Sequence, residues 1–183
     1  MKEHTIHYTS LGQICQEEVA NLFTSAFSAS EGEQEGKLVG NLAAELSALI
    51  DDQDVIAMGA EDEGSLIGCI FFSRLFVQHP IWIFMLAPVA VSTERQGQGV
   101  VRGLIHHGLQ ELRRRSVEVV VTYGDPAFYA KAGFTPLSER AIQAPLPLSR
   151  PEGWLGCSLT GEPIPTIPER PTCVEPFRNP AYW

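Results

Sequence analysis

The sequence predicts a mixed α/β domain (α+β) with a largely antiparallel first half. Segments of helical periodicity alternate with β-branched and aromatic runs, in the order strand, two helices, three strands, helix, strand, helix and strands. The 183 residues fit one domain better than two. Hydrophobic residues make up 44% of the chain and charged residues 19%, which is typical of a chain that buries a core.

The chain begins with a short strand, predicted at residues 6–8, and two helices. A helix over residues 13–27 follows from apolar residues that recur every three or four positions. A second helix over residues 33–50 carries a stripe of leucines. Each helix therefore has one face for a core.

Three strands come next, and they form the antiparallel part of the prediction. Residues 54–61 and 65–77 are joined by the turn Glu63-Gly64, which favours a hairpin. His79-Pro80 ends the second of these strands. Residues 82–91 form the fourth strand of the chain and are interrupted at Pro88.

The second half alternates helix and strand. A helix is predicted over residues 99–115, and the β-branched run 117–122 predicts a buried strand. Asp125 is suited to cap a short helix that has Pro126 at its first position. Gly133 ends that helix, and a strand over residues 134–137 follows.

The last part of the chain is rich in proline. We divide the chain into a domain of residues 1–144 and an extension of residues 145–183, which holds 9 of the 13 prolines. Only residues 154–159 of the extension are predicted as a strand. Three aromatic residues near the end favour an extension packed on the domain, and a disordered tail is the competing interpretation. These residues are Phe177, Tyr182 and Trp183.

Charge and composition exclude several classes of protein. The formal net charge is −9, which argues against a general nucleic-acid binder. No apolar run reaches the roughly 18 residues of a membrane span. The segment Met1-Lys2-Glu3-His4 lacks the apolar core of a signal peptide, so we expect a cytoplasmic protein without membrane contact. The four cysteines form no CxxC pair, and no metal site is predicted.

The acidic residues are concentrated at the start of the chain. Residues 1–80 carry 3 basic and 13 acidic side chains, whereas residues 81–144 carry 7 basic and 5 acidic ones. The middle of the chain is thus the part suited to an anion. The acidic part either steers a cationic partner or simply solvates two helix faces.

The chemistry is concentrated in the glycine loop, residues 92–99, and the start of the helix after it. A helix N-terminus offers unpaired N–H groups and partial positive charge to a phosphate. Gly97 and Gly99 let an anion approach the backbone, and Arg95 and Arg102 flank the loop. The loop lacks Gly-Lys-Ser/Thr and is not GxGxxG after a first strand, which excludes a P-loop and the dinucleotide fingerprint.

Two motifs together resemble the GNAT N-acetyltransferase superfamily. Gln96-Gly97-Gln98-Gly99-Val100-Val101 resembles the family's motif A, Gln/Arg-x-x-Gly-x-Gly/Ala. Phe128-Tyr129-Ala130-Lys131-Ala132-Gly133-Phe134 is similar to its Phe-Tyr-x-Lys-x-Gly-Phe signature. The ending Phe177-Arg178-Asn179-Pro180-Ala181-Tyr182-Trp183 looks like a compact bacterial single-domain branch.

This resemblance implies the GNAT acyl-CoA N-acyltransferase fold, a mixed and mostly antiparallel sheet flanked by helices. It also implies a splay between the fourth and fifth strands, here at residues 89–91 and 117–121. Acetyl-CoA is the implied cosubstrate, with its pyrophosphate on the loop amides and its pantetheine arm along the fourth strand. Val101 stands where the family prefers Gly or Ala. The implied cofactor-binding residues are Val89, Ala90, Val91, Arg95, Gln96, Gly97, Gln98, Gly99, Val100, Val101, Arg102, Phe128 and Lys131.

The resemblance also implies catalytic candidates. In the family, a tyrosine at the position of Tyr129 protonates the leaving thiolate; the alternative is a core aromatic residue with a solvated hydroxyl. The fourth strand has no carboxylate over residues 81–86, so the candidate bases are Glu31, Glu33 and Glu35. Glu35 is the first choice because residues 35–39 resemble a segment common in this branch of the family. Acidic residues at a helix start are also ordinary partners of the helix dipole. His79 is a further candidate base, or a solvated turn residue.

The sequence therefore predicts an acetyl-CoA-dependent N-acetyltransferase that transfers acetyl directly to a primary amine of a small molecule or protein. The acidic first part favours a cationic acceptor, and a homodimer is a further expectation from the family. The alternative is a non-catalytic module that binds and senses acyl-CoA, which the missing carboxylate and Val101 favour.

Overall fold

A computed structural model describes residues 5–183, and within this range the chain forms four α-helices and seven strands. The helices are α1 (Gln16–Glu31), α2 (Glu33–Ala48), α3 (Val100–Arg114) and α4 (Pro126–Ala130). The strands are β1 (His7–Leu11), β2 (Val55–Asp62), β3 (Ser65–Leu75), β4 (Ile83–Val91), β5 (Val119–Tyr123), β6 (Thr135–Pro136) and β7 (Trp154–Ser158). The predicted order of elements is confirmed. The first helix begins three residues late because Gln13–Cys15 form a 3₁₀ turn.

The strands follow one another in a sheet in the order β1-β2-β3-β4-β5-β7-β6. β1 runs antiparallel to β2, and β7 runs antiparallel to both β5 and β6. β4 and β5 are parallel. The prediction of a mixed, mostly antiparallel sheet is thus confirmed.

The pairing of β4 with β5 is short. It extends from Ile83↔Val119 to Leu86↔Thr122, whereas β4 itself continues to Val91. Pro88 has no N–H to donate to a neighbouring strand, which suits the end of a ladder. The ladder therefore ends at Leu86 and Thr122. Because residues 119–121 pair with β4, the expectation that they lie in a splay was wrong.

The chain divides into two compact units. The first comprises Met1–Phe71 and Pro88–Gly108, and the second comprises Phe72–Ala87 and Leu109–Trp183. In the first unit, α1 packs closely on α2, since a Cβ added at Gly40 would lie 1.9 Å from Thr24 Oγ1. The core side chains of the two helices are almost fully buried, and they include Val19, Phe23, Ala43 and Leu46.

The second unit is built around β5, β7 and the extension. Trp154 is 1% exposed, and its indole N–H donates to the carbonyl of Ile142 at 2.9 Å. Phe177 and Trp183 are also buried, and Trp183 Nε1 donates to the Phe177 carbonyl at 2.8 Å. The aromatic side chains of Phe177 and Trp183 thus pack in the second unit.

Trp82 lies just before β4 and is exposed. It is 45% exposed, and the guanidinium of Arg74 lies 4.2 Å from the centre of its ring. Within residues 5–183, no helix is both long enough and apolar enough to span a bilayer.

Candidate functional site

The glycine loop has an open backbone. After β4 the chain makes a 3₁₀ turn at Thr93–Arg95, and Gly97 and Gly99 then adopt φ values of +75° and +81°. Other residues rarely adopt such positive φ, which is why the sequence needs glycine there. A Cβ added at either glycine would meet no atom within 4 Å. The space beside the loop is therefore free for a ligand.

The first amides of α3 directly follow the glycine loop. The carbonyl of Gly99 accepts the N–H of Gly103 at 3.0 Å, which is the first hydrogen bond of the helix. The amides of Val100, Val101 and Arg102 precede that bond and have no acceptor within the helix. Arg102 is exposed in the same turn. Amides, helix dipole and guanidinium together suit an anion such as a pyrophosphate.

The start of α3 is held by its packing on β3. Val100 is 1% exposed, and a Cβ added at Gly68 would lie 3.0 Å from Val100 Cγ1 and from Leu104 Cδ1. The close approach at Gly68 thus fixes where the helix begins. Val100 is thus the buried residue of this first turn, whereas Val101 is only half-buried.

Arg95 has a partner that the sequence analysis missed. Its guanidinium forms an ion pair with the carboxylate of Asp62, at the end of β2, and Asp62 is 4% exposed. Because a buried carboxylate needs a partner, this pair ties the glycine loop to β2. Asp62 and Arg95 lie 33 positions apart, and no local pattern marks Asp62 among its acidic neighbours.

The end of β4 alternates between buried and half-buried positions. Ala90 is 4% exposed, whereas Val89 and Val91 are half-buried. The strand period of two puts Val89 and Val91 on the same face. The loop residues that follow, Gln96 and Gln98, are exposed, and Gln98 Nε2 donates to the Glu94 carbonyl at 3.2 Å.

Tyr129 lies in a well-defined aromatic environment in the second unit. Asp125 caps α4 as predicted, accepting the N–H of Ala127 at 3.0 Å. The ring of Tyr129 makes edge contacts with Phe128 at 5.0 Å and Phe134 at 5.7 Å between ring centres. We call Thr122, Gly124, Phe128, Tyr129 and Phe134 the Tyr129 cluster.

The side chain of Thr122 lies beside the Tyr129 hydroxyl. Thr122 Oγ1 donates to the Leu86 carbonyl at 2.7 Å, across the β4–β5 pair. Burial raises the pKa of Tyr129 above its ordinary value of 10.0, and the Thr122 contact opposes that rise. Tyr129 thus holds a positioned proton at neutral pH.

The other candidates occupy exposed positions. Phe128 is 43% exposed, and Lys131 is exposed at the end of α4. Glu35 lies in the first turn of α2 and is exposed. The backbone N–H of His79 donates to Glu169 Oε1 at 3.0 Å, which orders that turn. Among residues 5–183, no group of three or more His, Cys, Asp or Glu side chains is arranged as a metal site.

Comparison with known proteins agrees with this geometry. The profile of the acetyltransferase (GNAT) domain matches residues 15–137. The chain is 30% identical over 166 residues to the uncharacterized N-acetyltransferase YjhQ of Escherichia coli strain K12, covering 87% of each protein. It is 37% identical over 109 residues to the uncharacterized N-acetyltransferase YhbS of the same strain, a match that spans 57% of this chain and 60% of YhbS.

Two solved structures share the fold. The GNAT family N-acetyltransferase YhbS from E. coli, in complex with CoA, superposes with a TM-score of 0.79 at 25% identity, covering 98% of this chain and 95% of that one. A GNAT family acetyltransferase from Brucella melitensis, in complex with acetyl-CoA, gives a TM-score of 0.68 at 23% identity, covering 96% and 99%. The matched profile, the two relatives and the shared fold lead to one conclusion: the chain belongs to the GNAT acetyltransferase family.

Proposed function

We propose that the chain is an acetyl-CoA-dependent N-acetyltransferase that transfers acetyl directly to a primary amine of a small molecule or protein. The observation that carries this proposal is the open glycine loop at the N-terminus of α3. Its two positive-φ glycines and unpaired first-turn amides fit a pyrophosphate. Membership in the GNAT family supports the choice of CoA as the source of that pyrophosphate.

The proposed binding residues follow from the loop and its flanks. The amides of Gln96–Val101 hold the pyrophosphate, with the Arg102 guanidinium beside them. The backbone of Val89 and Val91 pairs with the pantetheine arm, and the exposed Phe128 and Lys131 offer a ring and a cation to the nucleotide end. When bound, acetyl-CoA supplies an activated acetyl thioester. Arg95, paired with Asp62, acts mainly by holding the loop in place.

Tyr129 is the proposed general acid. Its hydroxyl is protonated at neutral pH, because the ordinary pKa of a tyrosine is 10.0 and burial raises the pKa of Tyr129 above that value. The side chain of Thr122 lies beside this hydroxyl, and Thr122 is itself fixed by its hydrogen bond to the Leu86 carbonyl. We assign Tyr129 the protonation of the leaving thiolate.

A base must remove a proton from the acceptor, since an alkyl ammonium has a pKa near 10. In β4, residues Ile83–Leu86 are apolar and buried, so this part of the strand offers no carboxylate. We propose Glu35 for this role because its exposed carboxylate at the start of α2 is open to an incoming amine.

The experiment is thiol release from acetyl-CoA across a panel of amines, with the wild type and Tyr129→Phe. We expect turnover with at least one amine, and a loss of about 100-fold in kcat for the variant with little change in the Kd of acetyl-CoA. Glu35→Gln is expected to lower kcat at neutral pH more than at pH 10, where the amine is already deprotonated.

A different result identifies the alternative function. Acetyl-CoA binding without turnover of any amine would favour an acyl-CoA sensor, which the half-buried Val101 and the apolar β4 suit. Failure of a folded protein to bind acetyl-CoA would overturn both assignments.

A further inference from the structure

The second unit contains a cavity of about 440 Å³ at the carboxyl end of β5. Three segments that are distant in the sequence line it, namely residues 123–126, 149–153 and 181–183. This volume lies within the range of pockets that hold small molecules. It is too small for a folded partner but large enough for a ligand with one ring.

The walls of the cavity are aromatic and held in place. The rings of Tyr123 and Trp183 are stacked, 6.3 Å apart at 19°. The Tyr123 hydroxyl accepts the backbone N–H of Arg150 at 2.7 Å and forms a hydrogen bond with Ser149 Oγ at 3.0 Å. Trp183 is anchored by its bond to the Phe177 carbonyl. These contacts join all three segments into one preformed wall, to which Tyr182 adds another ring.

The charged groups at the cavity are mostly acidic. Among the described residues that line it, the charged side chains are those of Asp125, Arg150 and Glu152. All three are exposed, so they face solvent and an arriving ligand. Two carboxylates against one guanidinium favour a cation over an anion. Aromatic faces likewise attract an ammonium group.

The cavity lies directly beside Tyr129. Gly124 lines the cavity, and a Cβ added there would lie 2.7 Å from Cε2 of the Tyr129 ring. Gly153 also lines the cavity, and its carbonyl accepts the N–H of Gly124 at 3.0 Å. The backbone at Gly124 therefore borders the cavity and lies close to the ring of the proposed general acid.

We infer that this cavity binds the acceptor and selects a small monoamine with an aromatic or apolar body. The body lies against the rings of Tyr123, Tyr182 and Trp183, and the ammonium is attracted to the carboxylates of Asp125 and Glu152. The inference rests on the proposed acetyltransferase function, because only that function makes the cavity an acceptor site. Its size and aromatic walls favour such an amine over an extended polyamine.

The first experiment measures binding without acetyl-CoA, so it does not depend on turnover. The full chain is titrated calorimetrically with 2-phenylethylamine, with 2-phenylethanol as a neutral comparator and 3-phenylpropionate as an anionic one. The amine is expected to bind at least about tenfold more tightly than either comparator, and its affinity is expected to fall as salt rises. Equal binding of the acid, or no binding of the amine, would overturn the inference.

Variants of the charged residues locate the site. Asp125→Asn keeps an N-cap acceptor for α4 and removes one charge, and Glu152→Gln removes the other. Each is expected to raise the Kd of 2-phenylethylamine about threefold, and the pair about tenfold. Arg150→Gln is the matched control of opposite charge and is expected to lower that Kd or leave it unchanged. Equal weakening by all three variants would contradict a site that selects by charge.

Kinetics separate the inference from the proposed function. If acetyl transfer occurs, Asp125→Asn/Glu152→Gln is expected to raise the KM of the amine about tenfold while the KM of acetyl-CoA stays constant. If the KM of the amine is unchanged in this double variant, the acceptor site is overturned, but the proposed acetyltransferase activity stands. Amine binding that depends on the two carboxylates, in a protein without transferase activity, would overturn the proposed function and leave a ligand site.

Discussion

The glycine loop and the Tyr129 cluster differ in the groups from which they are built. The loop consists of backbone groups, whereas the cluster consists of side chains. The loop presents backbone amides, and its exposed glycines keep side chains away from the ligand. The Tyr129 cluster presents one hydroxyl, whose direction depends on the Thr122 side chain and on two aromatic rings. A site made of backbone is set by local conformation, whereas a site made of side chains is set by its neighbours in space. The two should therefore respond differently to substitution.

Gly99→Glu is the substitution in the glycine loop for which we expect the largest effect on acetyl-CoA binding. It puts a side chain and a negative charge beside the amides that we assign to the pyrophosphate, and we expect the Kd of acetyl-CoA to rise at least about 100-fold. Calorimetric titration measures the change.

The chain offers a matched control for this substitution. Gly64, in the β2–β3 turn, has the same φ of +81° and equally open surroundings. Gly64→Glu carries the same backbone strain and is expected to leave acetyl-CoA binding unchanged. Equal losses in both variants would mean that strain, and not the ligand site, explains the effect.

Asp62→Asn tests whether the loop depends on the backbone alone. The substitution removes the buried charge that faces Arg95, which is itself only partly exposed. We expect a loss of about 2 kcal/mol in the free energy of unfolding, measured with urea, because one ion of a part-buried pair is left without its partner. Glu63→Gln removes the charge of an adjacent exposed carboxylate and is expected to lower the free energy of unfolding by at most about 0.5 kcal/mol. Similar losses would show that the Arg95–Asp62 pair has no special role.

Gly124→Ala tests how strongly the Tyr129 cluster depends on its packing. The added methyl would lie 2.7 Å from the Tyr129 ring, which Phe128 and Phe134 also contact, so the ring must shift. We expect kcat to fall about tenfold with no change in acetyl-CoA binding. Because both changes would act through one hydroxyl, Gly124→Ala should add no further loss to Tyr129→Phe. An additive double variant would contradict this explanation.

The smallest expected effect is on stability at high pH. Burial raises the pKa of Tyr129 in the folded protein, whereas the unfolded chain loses this proton near the ordinary value of 10.0. Above that pH the unfolded state binds fewer protons than the folded state, so stability falls as pH rises. Below it the group has no effect on the pH dependence.

Tyr129→Phe should therefore flatten the loss of stability above pH 10. Urea unfolding at a series of pH values from about 8 to 11 measures the slope of the free energy of unfolding against pH. The upper end of this range passes the ordinary tyrosine pKa. Burial raises the pKa of Tyr8 in the same direction, so Tyr8→Phe should also flatten the slope. A steeper slope in Tyr129→Phe would mean that the folded state favours the phenolate.

The features that the sequence determined by itself are those formed by neighbours along the chain. The strand–loop–helix arrangement follows from the apolar strand before Ser92 and the glycines at 97 and 99. The cap of α4 follows from Asp125 and Pro126, because an N-cap reaches only two or three residues. The mostly antiparallel sheet follows from the order and character of the segments.

Only the tertiary structure decided the partners of the side chains. The Thr122–Leu86 bond joins residues 36 positions apart, and the Arg95–Asp62 pair joins residues 33 apart. The cavity brings together segments from residue 123 to residue 183. Periodicity and motif spacing report the conformation of a continuous segment, whereas these contacts depend on which strands pair and in which register. The sequence thus predicted which loop would hold a cosubstrate, and the fold determined how Tyr129, the proposed proton donor, is packed and which cavity lies beside it.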